Sequence, residues 1–340
     1  MNTKNSKRNY KNTKAAVIIP SYNGIKFLPK CLSALRRQSY SNFVLYFADN
    51  ASTDGSSEYV QKQFPSAKII RFEKNYGFAR ANNEAIKQAF KDKQIKFIVC
   101  LNNDTIVEKN WLKELILAAQ KNNKIGAVGS IGVYPNGKIQ NAGIRLLPSK
   151  TFVEINEGEL SVGYGDNPNK FKNTFEIFAP SGFSALYKKE ALLKTGLFDE
   201  DFFAFCEDID LGFRLQYAGY TAVCAPKSKL VHFHSMTGGR ASPLKAFLSK
   251  RNGFFVAIKN FLLHDALLYI FRDAVLTIIS ARSKNKFNAA QKIGFATSIL
   301  IMLKVYLSVI FYFPKMIIKR SVIMRHSAKN ADELKRWFVE

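Results

Sequence analysis

Cysteine is scarce in this chain, and the few residues show no pairing pattern. Cys31, Cys100, Cys206 and Cys224 are the only four in 340 residues, and no C-x-x-C occurs. That argues against a disulfide framework and against a structural zinc site. Three of them sit in or beside apolar runs and read as small buried hydrophobes in a reducing compartment. An apolar N-terminal run is also missing. Met1 to Lys14 carries five Lys/Arg and no acid, which does not fit a secretory signal, so the body of the chain is expected in the cytoplasm. No Gly-rich phosphate loop follows the first apolar run, where only Gly24 is present. Acids are few, 26 against 51 Lys/Arg, for a net charge of +25. No internal repeat and no nucleic-acid recognition signature accompanies that charge, so nucleic acid is not an expected partner.

The charge is unevenly spread. Residues 15–239 carry a net +7, whereas residues 240–340 hold 18 basic and 5 acidic side chains, a net +13, in a strongly apolar segment. Basic and apolar character together point to an anionic membrane surface. The 47% apolar content supports a sizeable core, and the length fits one or two domains.

From Ala15 the chain alternates short β-branched runs with amphipathic stretches. Strands are expected at Ala15–Pro20, Phe43–Ala48, Lys68–Phe72 and Phe97–Leu101. Helices are expected at Ile25–Arg37, Ser56–Phe64, Phe78–Lys91 and Trp111–Lys121. Such alternation predicts an α/β fold with a mostly parallel central sheet. Between Ile125 and Phe178 the pattern weakens into short strands and loops. Helices return at Lys188–Thr195 and Asp208–Ala218, with short strands at Thr221–Ala225 and Lys229–Phe233.

Three polar clusters stand out against this pattern. Asp49-Asn50-Ala51-Ser52-Thr53-Asp54 and Asn102-Asn103-Asp104 each end an apolar run, and Glu207-Asp208-Ile209-Asp210 follows Phe202, Phe203 and Phe205. Carboxylates and amides at the ends of buried strands are how open α/β sheets build a ligand site.

These pieces resemble glycosyltransferase family 2, with the nucleotide-sugar-binding GT-A architecture. The resemblance rests on Ile18-Ile19-Pro20-Ser21-Tyr22-Asn23, Asp49-Asn50-Ala51-Ser52-Thr53-Asp54-Gly55, Asn75-Tyr76-Gly77-Phe78-Ala79-Arg80-Ala81-Asn82 and Leu101-Asn102-Asn103-Asp104. It continues through Ser181-Gly182, Gly196-Leu197-Phe198-Asp199-Glu200, Glu207-Asp208-Ile209-Asp210, His232 and Arg251-Asn252. The pieces run in order from residue 15 to about residue 255 and look most like the rhamnosyltransferase-like members that act on lipid-linked surface glycans.

The resemblance implies an inverting transfer of sugar from a UDP- or dTDP-linked donor to a glycan acceptor linked to a polyprenyl diphosphate. By the same resemblance, Pro20, Tyr22, Asn23, Asp49, Asn50, Asn75, Gly77, Arg80, Asn82, Asn102 and Asn103 are expected to line the nucleotide-sugar site. Arg80 is equally readable as a solvated helix arginine. Asp104 takes the place of the family's metal-binding carboxylate and His232 that of a further ligand, for Mg²⁺ or Mn²⁺ bridging the diphosphate. The first position of that element is Asn102, a neutral oxygen, so weaker metal binding is expected. His234 shares a strand face with His232. Asp208 is expected to be the general base, with a pKa raised by crowding from Glu207 and Asp210. Glu207 would orient it or meet the acceptor. Asp210 is assigned with Glu207, although with Arg214 at i+4 an ion pair is its favoured fate. Two other classes compete. A sugar-phosphate nucleotidylyltransferase would want the missing Gly-rich loop, and a non-catalytic membrane or nucleic-acid binder gives Asp104 and Asp208 no purpose.

The division expected is a basic flexible tail (1–14), the GT-A domain (15–240) and a helical membrane-associating region (241–340). Helices are expected from Ser242-Pro243 to about Leu263, over Asp265–Ile279 and over Gly294–Phe313. The last has eleven Leu/Ile/Val/Phe and one charge, Lys304. On an insertion scale the apolar residues contribute about −3 to −7 kcal/mol and the lysine costs roughly 3. Insertion is therefore possible, but basic clusters flank the segment on both sides, and a span would put one of them outside. Helices lying in the plane of the cytoplasmic face are preferred, a buried or dimerising appendage being the alternative. Truncation after Gly239 is expected to leave a more soluble domain.

Overall fold

The computed structural model describes residues 13–146, 161–233, 242–282, 295–329 and 332–337. The basic tail to residue 12, His234 and the basic positions Lys284, Lys286 and Lys292 lie outside them, as does part of the weakly patterned stretch between Ile125 and Phe178.

Among the described residues, ten strands form one sheet ordered β3-β2-β1-β4-β9-β6-β10-β5, with β7 beside β6 and β8 beside β10. The N-terminal half is wound from β1 (Lys14–Ser21), α1 (Leu28–Arg36), β2 (Phe43–Asp49), α2 (Ser56–Gln63), β3 (Lys68–Arg71), α3 (Gly77–Phe90) and β4 (Ile95–Leu101). All pairings in this half are parallel. Then follow β5 (Thr105–Val107), α4 (Trp111–Ala119), β6 (Ile125–Val133), β7 (Ile139–Asn141), β8 (Phe175–Ile177) and β9 (Ser184–Lys188). The rest is α5 (Lys189–Thr195), α6 (Glu207–Tyr217), β10 (Thr221–His232), α7 (Pro243–Asn260), α8 (Leu263–Arg282) and α9 (Phe295–Arg325). Because β9 runs antiparallel to both β4 and β6, and β10 parallel to β6, six strands share one direction.

Period-two side-chain alternation buries both faces of the sheet. Ala15, Val17 and Ile19 of β1 join the core under α1, α2 and α4, while Ala16 and Ile18 join the one under α3, α5 and α6. The winding reverses between β1 and β4, which opens a crevice at their carboxyl ends, where open α/β sheets bind ligands.

Two strands were hidden in the sequence. Ile125–Val133 contains three glycines, which usually weaken a strand, yet it is a buried nine-residue strand. Its glycines admit neighbours: a Cβ on Gly132 would fall 2.6 Å from the Phe183 ring and one on Gly126 2.8 Å from Tyr220. Ser184–Lys188 is short and runs directly into α5, so periodicity has little to read. The two strands expected around Pro226 are one strand with a register shift between Ala225 and Lys229.

The C-terminal helices pack on the sheet domain through a third core. Phe202, Phe213 and Tyr217 meet Phe254 and Phe255 of α7 and Val305, Val309 and Met316 of α9. α9 is longer than the expected segment and continues through Pro314 to Arg325. Charge reinforces this packing. Lys259 of α7, 2% exposed, bonds Asp199 at 2.7 Å and Asp210 of α6 at 2.6 Å. Lys319 of α9 pairs with Asp199 and, at 2.6 Å, with Asp201, and Lys315 reaches Asp201 at 2.6 Å. A fragment ending at Gly239 would lose every one of these cations and expose the third core.

Lys259→Met should destabilise the fold by about 3–5 kcal/mol in urea unfolding, because it strands buried carboxylates. Arg71→Ala, which breaks an exposed pair with Glu58, should cost less than about 1 kcal/mol. Equal losses in the two variants would show that the buried network contributes nothing special.

Candidate active site

The crevice is lined by the chain segments that leave β1, β2 and β4. After β1, Asn23 adopts a left-handed conformation (φ 49°). Its backbone N–H donates to Ser52 Oγ at 2.9 Å, and its Oδ1 accepts from the Thr53 N–H at 2.8 Å. The loops after β1 and β2 are thereby closed on each other, and Tyr22 is left 39% exposed at the surface. Asp49, at the end of β2, is buried. Its carboxylate accepts from the Ser52 N–H at 2.8 Å and from the Ser57 hydroxyl, which fixes its direction and leaves lone pairs for a ligand. Pro20 lies in β1 itself, one residue before its end.

Asn50 spans to the start of α3, donating to Gly77 O at 3.0 Å and accepting from the Tyr76 N–H at 3.2 Å. Asn75 Oδ1 accepts from the Gly77 N–H. Gly77 has φ +80°, and a Cβ there would fall 2.4 Å from Phe203 O. Asn82 is buried within α3 and donates to Phe78 O at 2.9 Å, while its Oδ1 has no protein partner. Arg80 stacks on Tyr76 with 4.0 Å to the ring centroid and faces Glu200 at 3.9 Å.

Across the crevice, Asn103 donates to Ser21 Oγ at 2.8 Å, joining the ends of β1 and β4. Asn102 sits in the turn between β4 and β5, where its carbonyl accepts from Thr105 Oγ1 at 2.7 Å. The antiparallel register of β5 on β10 opposes Thr105 to His232, so Asp104 Oδ1 and His232 Nε2 stand 3.3 Å apart. His232 Nδ1 is 2.9 Å from Gln140 Oε1, and its ring stacks on Phe183 at 4.8 Å. One imidazole nitrogen and one carboxylate oxygen facing each other form a donor pair suited to a divalent cation. Among the described residues no cluster of three or more His, Cys, Asp or Glu side chains forms a metal site, so further ligands would have to come from elsewhere.

The three acids of α6 have separate fates. Asp208 accepts from the Gly182 N–H and from the Ile209 N–H, both at 2.9 Å. Burial raises its pKa, and those N–H groups oppose the rise. The direction matches the expectation, but the cause is desolvation and not crowding. Crowding acts on Glu207: burial first, then the charges of Asp208 and Asp210, push it well above the usual carboxylate range. Its Oε2 is buried and has no protein partner. Asp210, assigned beside Glu207, takes the ion pair that Arg214 at i+4 offers it. It is fully buried and bonded to Arg214 Nε at 2.9 Å, to Lys259 and to Asn260 Nδ2 at 3.1 Å. Burial raises its pKa, but Lys259 and Arg214 together outweigh that and hold it low.

The chain reaches α6 through a strained turn. Phe203, Phe205 and Cys206 have φ of 64°, 71° and 64°, each costing on the order of 1–3 kcal/mol for a residue other than glycine. Sequence reasoning gave no role to the residues that surround this turn and the His232 pair. Gly182 enters the sequence reading only as part of Ser181-Gly182, while Phe183, Gln140 and Asn83, which holds the Phe198 backbone and Glu200, fall in weakly periodic stretches or on helix interiors and carry no local signal.

Residues 16–196 match the family model for glycosyl transferase family 2. The O-antigen biosynthesis protein RfbC of Myxococcus xanthus is 26% identical over 230 residues, covering 65% of this chain and 17% of that protein. The N-acetylglucosaminyl-diphospho-decaprenol L-rhamnosyltransferase of Mycobacterium tuberculosis is 26% identical over 243 residues, covering 66% of this chain and 77% of that enzyme. The solved structure of GalNAc-T7 with UDP, GalNAc and Mn²⁺ superposes with a TM-score of 0.57 at 17% identity, over 77% of this chain and 50% of that one. That likeness speaks for the fold, which is GT-A. The family match spans more than half of the 340 residues, and the chain belongs to glycosyl transferase family 2.

Proposed function

We propose that this glycosyltransferase moves a sugar from a nucleoside diphosphate sugar to a glycan acceptor carried on a polyprenyl diphosphate, in cell-surface polysaccharide synthesis. The observation that carries the reading is the pairing of Asp104 with His232 at 3.3 Å, in the same crevice as Asp49 and the Asn103–Ser21 contact. The acceptor class is supported by the rhamnosyltransferase relative, whose name specifies a diphospho-decaprenol-linked substrate. UDP- and dTDP-linked donors are the first to test.

Asp49, Tyr22 and Asn23 would hold the nucleoside. Asp104 and His232 would hold a Mg²⁺ or Mn²⁺ ion, which when bound neutralises charge on the departing diphosphate. Asn102 and Asn103 would line the diphosphate and sugar. Asp208 is the general base: its carboxylate takes the proton of the acceptor hydroxyl as that oxygen attacks the anomeric carbon on the face opposite the diphosphate, inverting configuration. Two adjacent carboxylates with pKa values pushed apart by environment allow one to stay protonated while the other accepts a proton. Glu207 is the first and Asp208 the second.

The enzyme would work from the cytoplasmic face of the membrane, on the 241–340 region. α8 exposes Leu263, Leu267, Leu268 and Phe271, and α9 exposes Leu300, Leu303, Leu307, Ile310 and Phe311. α9 is long and apolar enough to cross a membrane by length and composition. Lys315 and Lys319 tie its second half to Asp199 and Asp201, and Arg320 caps the Ile258 and Phe261 carbonyls. A span by the apolar half would strip Val305 and Val309 from the core they share with Phe254 and Phe255 of α7, so attachment in the plane of the leaflet is favoured.

Asp208→Asn should lower transfer by about 10²- to 10⁴-fold while UDP or dTDP binding, measured by calorimetry, stays near the parent value. In the parent, the acid limb of activity should lie above the usual aspartate range, since a raised pKa means the base is lost to protonation at higher pH. Parent-rate transfer by the variant would move the role to Glu207.

Mn²⁺ should strengthen nucleoside diphosphate binding to the parent protein and do so far less for Asp104→Ala or His232→Ala. Binding and turnover indifferent to chelator would establish a metal-independent enzyme.

The full chain should float with anionic vesicles, each Lys or Arg near the surface adding about 1 kcal/mol that salt screens. High salt should release only part of it, and Ile310→Asp with Phe311→Asp should lower the retained fraction. Complete release of the parent by salt would leave the apolar face without a role in attachment.

A further inference from the structure

The turn from Asp201 to Cys206 is gripped from two sides. On one side stands the start of α3. The Ala79 N–H donates to Phe203 O at 3.1 Å, and the missing side chain of Gly77 makes room for Phe203. On the other stands α7. Asn252 is fully buried, and its Nδ2 donates to the carbonyl oxygens of Phe202, Ala204 and Phe205, each at 2.8 Å. An amide nitrogen has two hydrogens, so at least one is shared. Its Oδ1 accepts from Arg251 Nε at 3.0 Å and Nη2 at 2.9 Å. Arg251 Nη2 in turn donates to Asp201 O at 2.8 Å and Phe202 O at 3.2 Å, and its guanidinium lies over the rings of Phe247 and Phe255.

The carbonyls gathered by Asn252 flank the residues at positive φ. Left-handed geometry at Phe203, Phe205 and Cys206 curls this stretch of chain, which its side chains would otherwise open toward the extended or right-handed regions. None of the residues is a glycine, so the conformation is imposed from outside, and the described bonds of the Asn252 Nδ2 are spent on that turn. Asn260, on the same helix, divides its amide between its own Val256 carbonyl and Asp210 of α6. Cys206 is the last residue before α6, and Asp208 is two positions further on.

We propose that Asn252 is a positioning residue for the transfer reaction: its amide holds the left-handed turn 203–206, and the turn sets where Asp208 stands relative to the start of α3 and to Gly182. Asn252 touches no reacting atom. The inference rests on the reading of Asp208 as the base.

Asn252→Asp keeps the shape and the acceptor for Arg251 but replaces the donor with an oxygen facing three carbonyls. In the full chain, with a donor chosen from UDP-, dTDP- and GDP-sugars, kcat should fall by about 100-fold, the size of loss that follows slight misplacement of a catalytic group. Donor KM and the Kd for UDP or dTDP should stay within about threefold, the signature of an interaction felt only in the transition state. Cys206→Gly supplies a residue that takes φ near +64° without strain, so adding it to Asn252→Asp should recover part of the lost kcat. Asn252→Ser, which retains one donor, carries the same expectation if Asn252→Asp does not fold. An unchanged kcat, a parallel loss of nucleotide binding, or a defect that Cys206→Gly leaves untouched would overturn the assignment. Asp208→Asn is measured alongside: full activity there overturns the base reading itself, whereas an inactive Asp208→Asn beside a fully active Asn252→Asp overturns only the positioning role.

Discussion

The buried carboxylate of Asp210 is the constraint around which the active half of the molecule is arranged. It lies on α6, at zero exposure, in a region where an uncompensated charge would be very costly. Arg214, one turn along, supplies part of the compensation, and Lys259 of α7 supplies the rest while also bonding Asp199. Lys319 then carries the network from Asp199 to α9. A charge that α6 cannot hold by itself thus recruits two C-terminal helices. α9, which presents an apolar face outward, is one of the two helices that hold the start of α6 in place.

That arrangement explains why three acids in four residues do different work. Glu207, Asp208 and Asp210 share one helix start, and the macrodipole favours all three alike. Their surroundings separate them. Asp210 is ionised by two cations. Burial and its neighbours' charge push the pKa of Glu207 well above the usual carboxylate range. Asp208 is held in between by the Gly182 N–H, delivered from the chain just before β9. Strand β9 runs antiparallel between β4 and β6, so a reversal of direction inside the sheet carries the donor that fixes Asp208.

The N-terminal half was legible because both faces of its strands are buried, and its helices carry the periodicity that such burial demands. The ends of β1, β2 and β4 could be read as ligand-facing for the same reason: polar clusters close apolar runs there. The pairing of Asp104 with His232 depends on the register of β5 against β10; it was reachable only through resemblance to a family, since no spacing rule links the two. Strand β6 was illegible because its glycines serve neighbours distant in sequence, Phe183 and Tyr220. The pKa of Asp208 was read correctly in direction and wrongly in cause, because adjacency in sequence advertises crowding and says nothing about desolvation.

The division at residue 240 shows a different limit. Composition changes sharply there, from mixed charge to basic and apolar, and a boundary follows if composition marks function. Packing follows geometry instead. Arg251, Asn252 and Lys259 stand within the apolar, basic segment, yet their polar atoms reach back to Asp201, Phe202, Phe205 and Asp210. An amphipathic helix has two faces, and the sequence displays the average of both. In α9 one face is spent on α7 and the catalytic turn, and the other is exposed Leu, Ile and Phe. A surface that seats on lipid through one face and braces a strained turn through the other needs no spanning segment to bring a membrane-borne acceptor to Asp208. It needs only that the two faces belong to the same rigid helices.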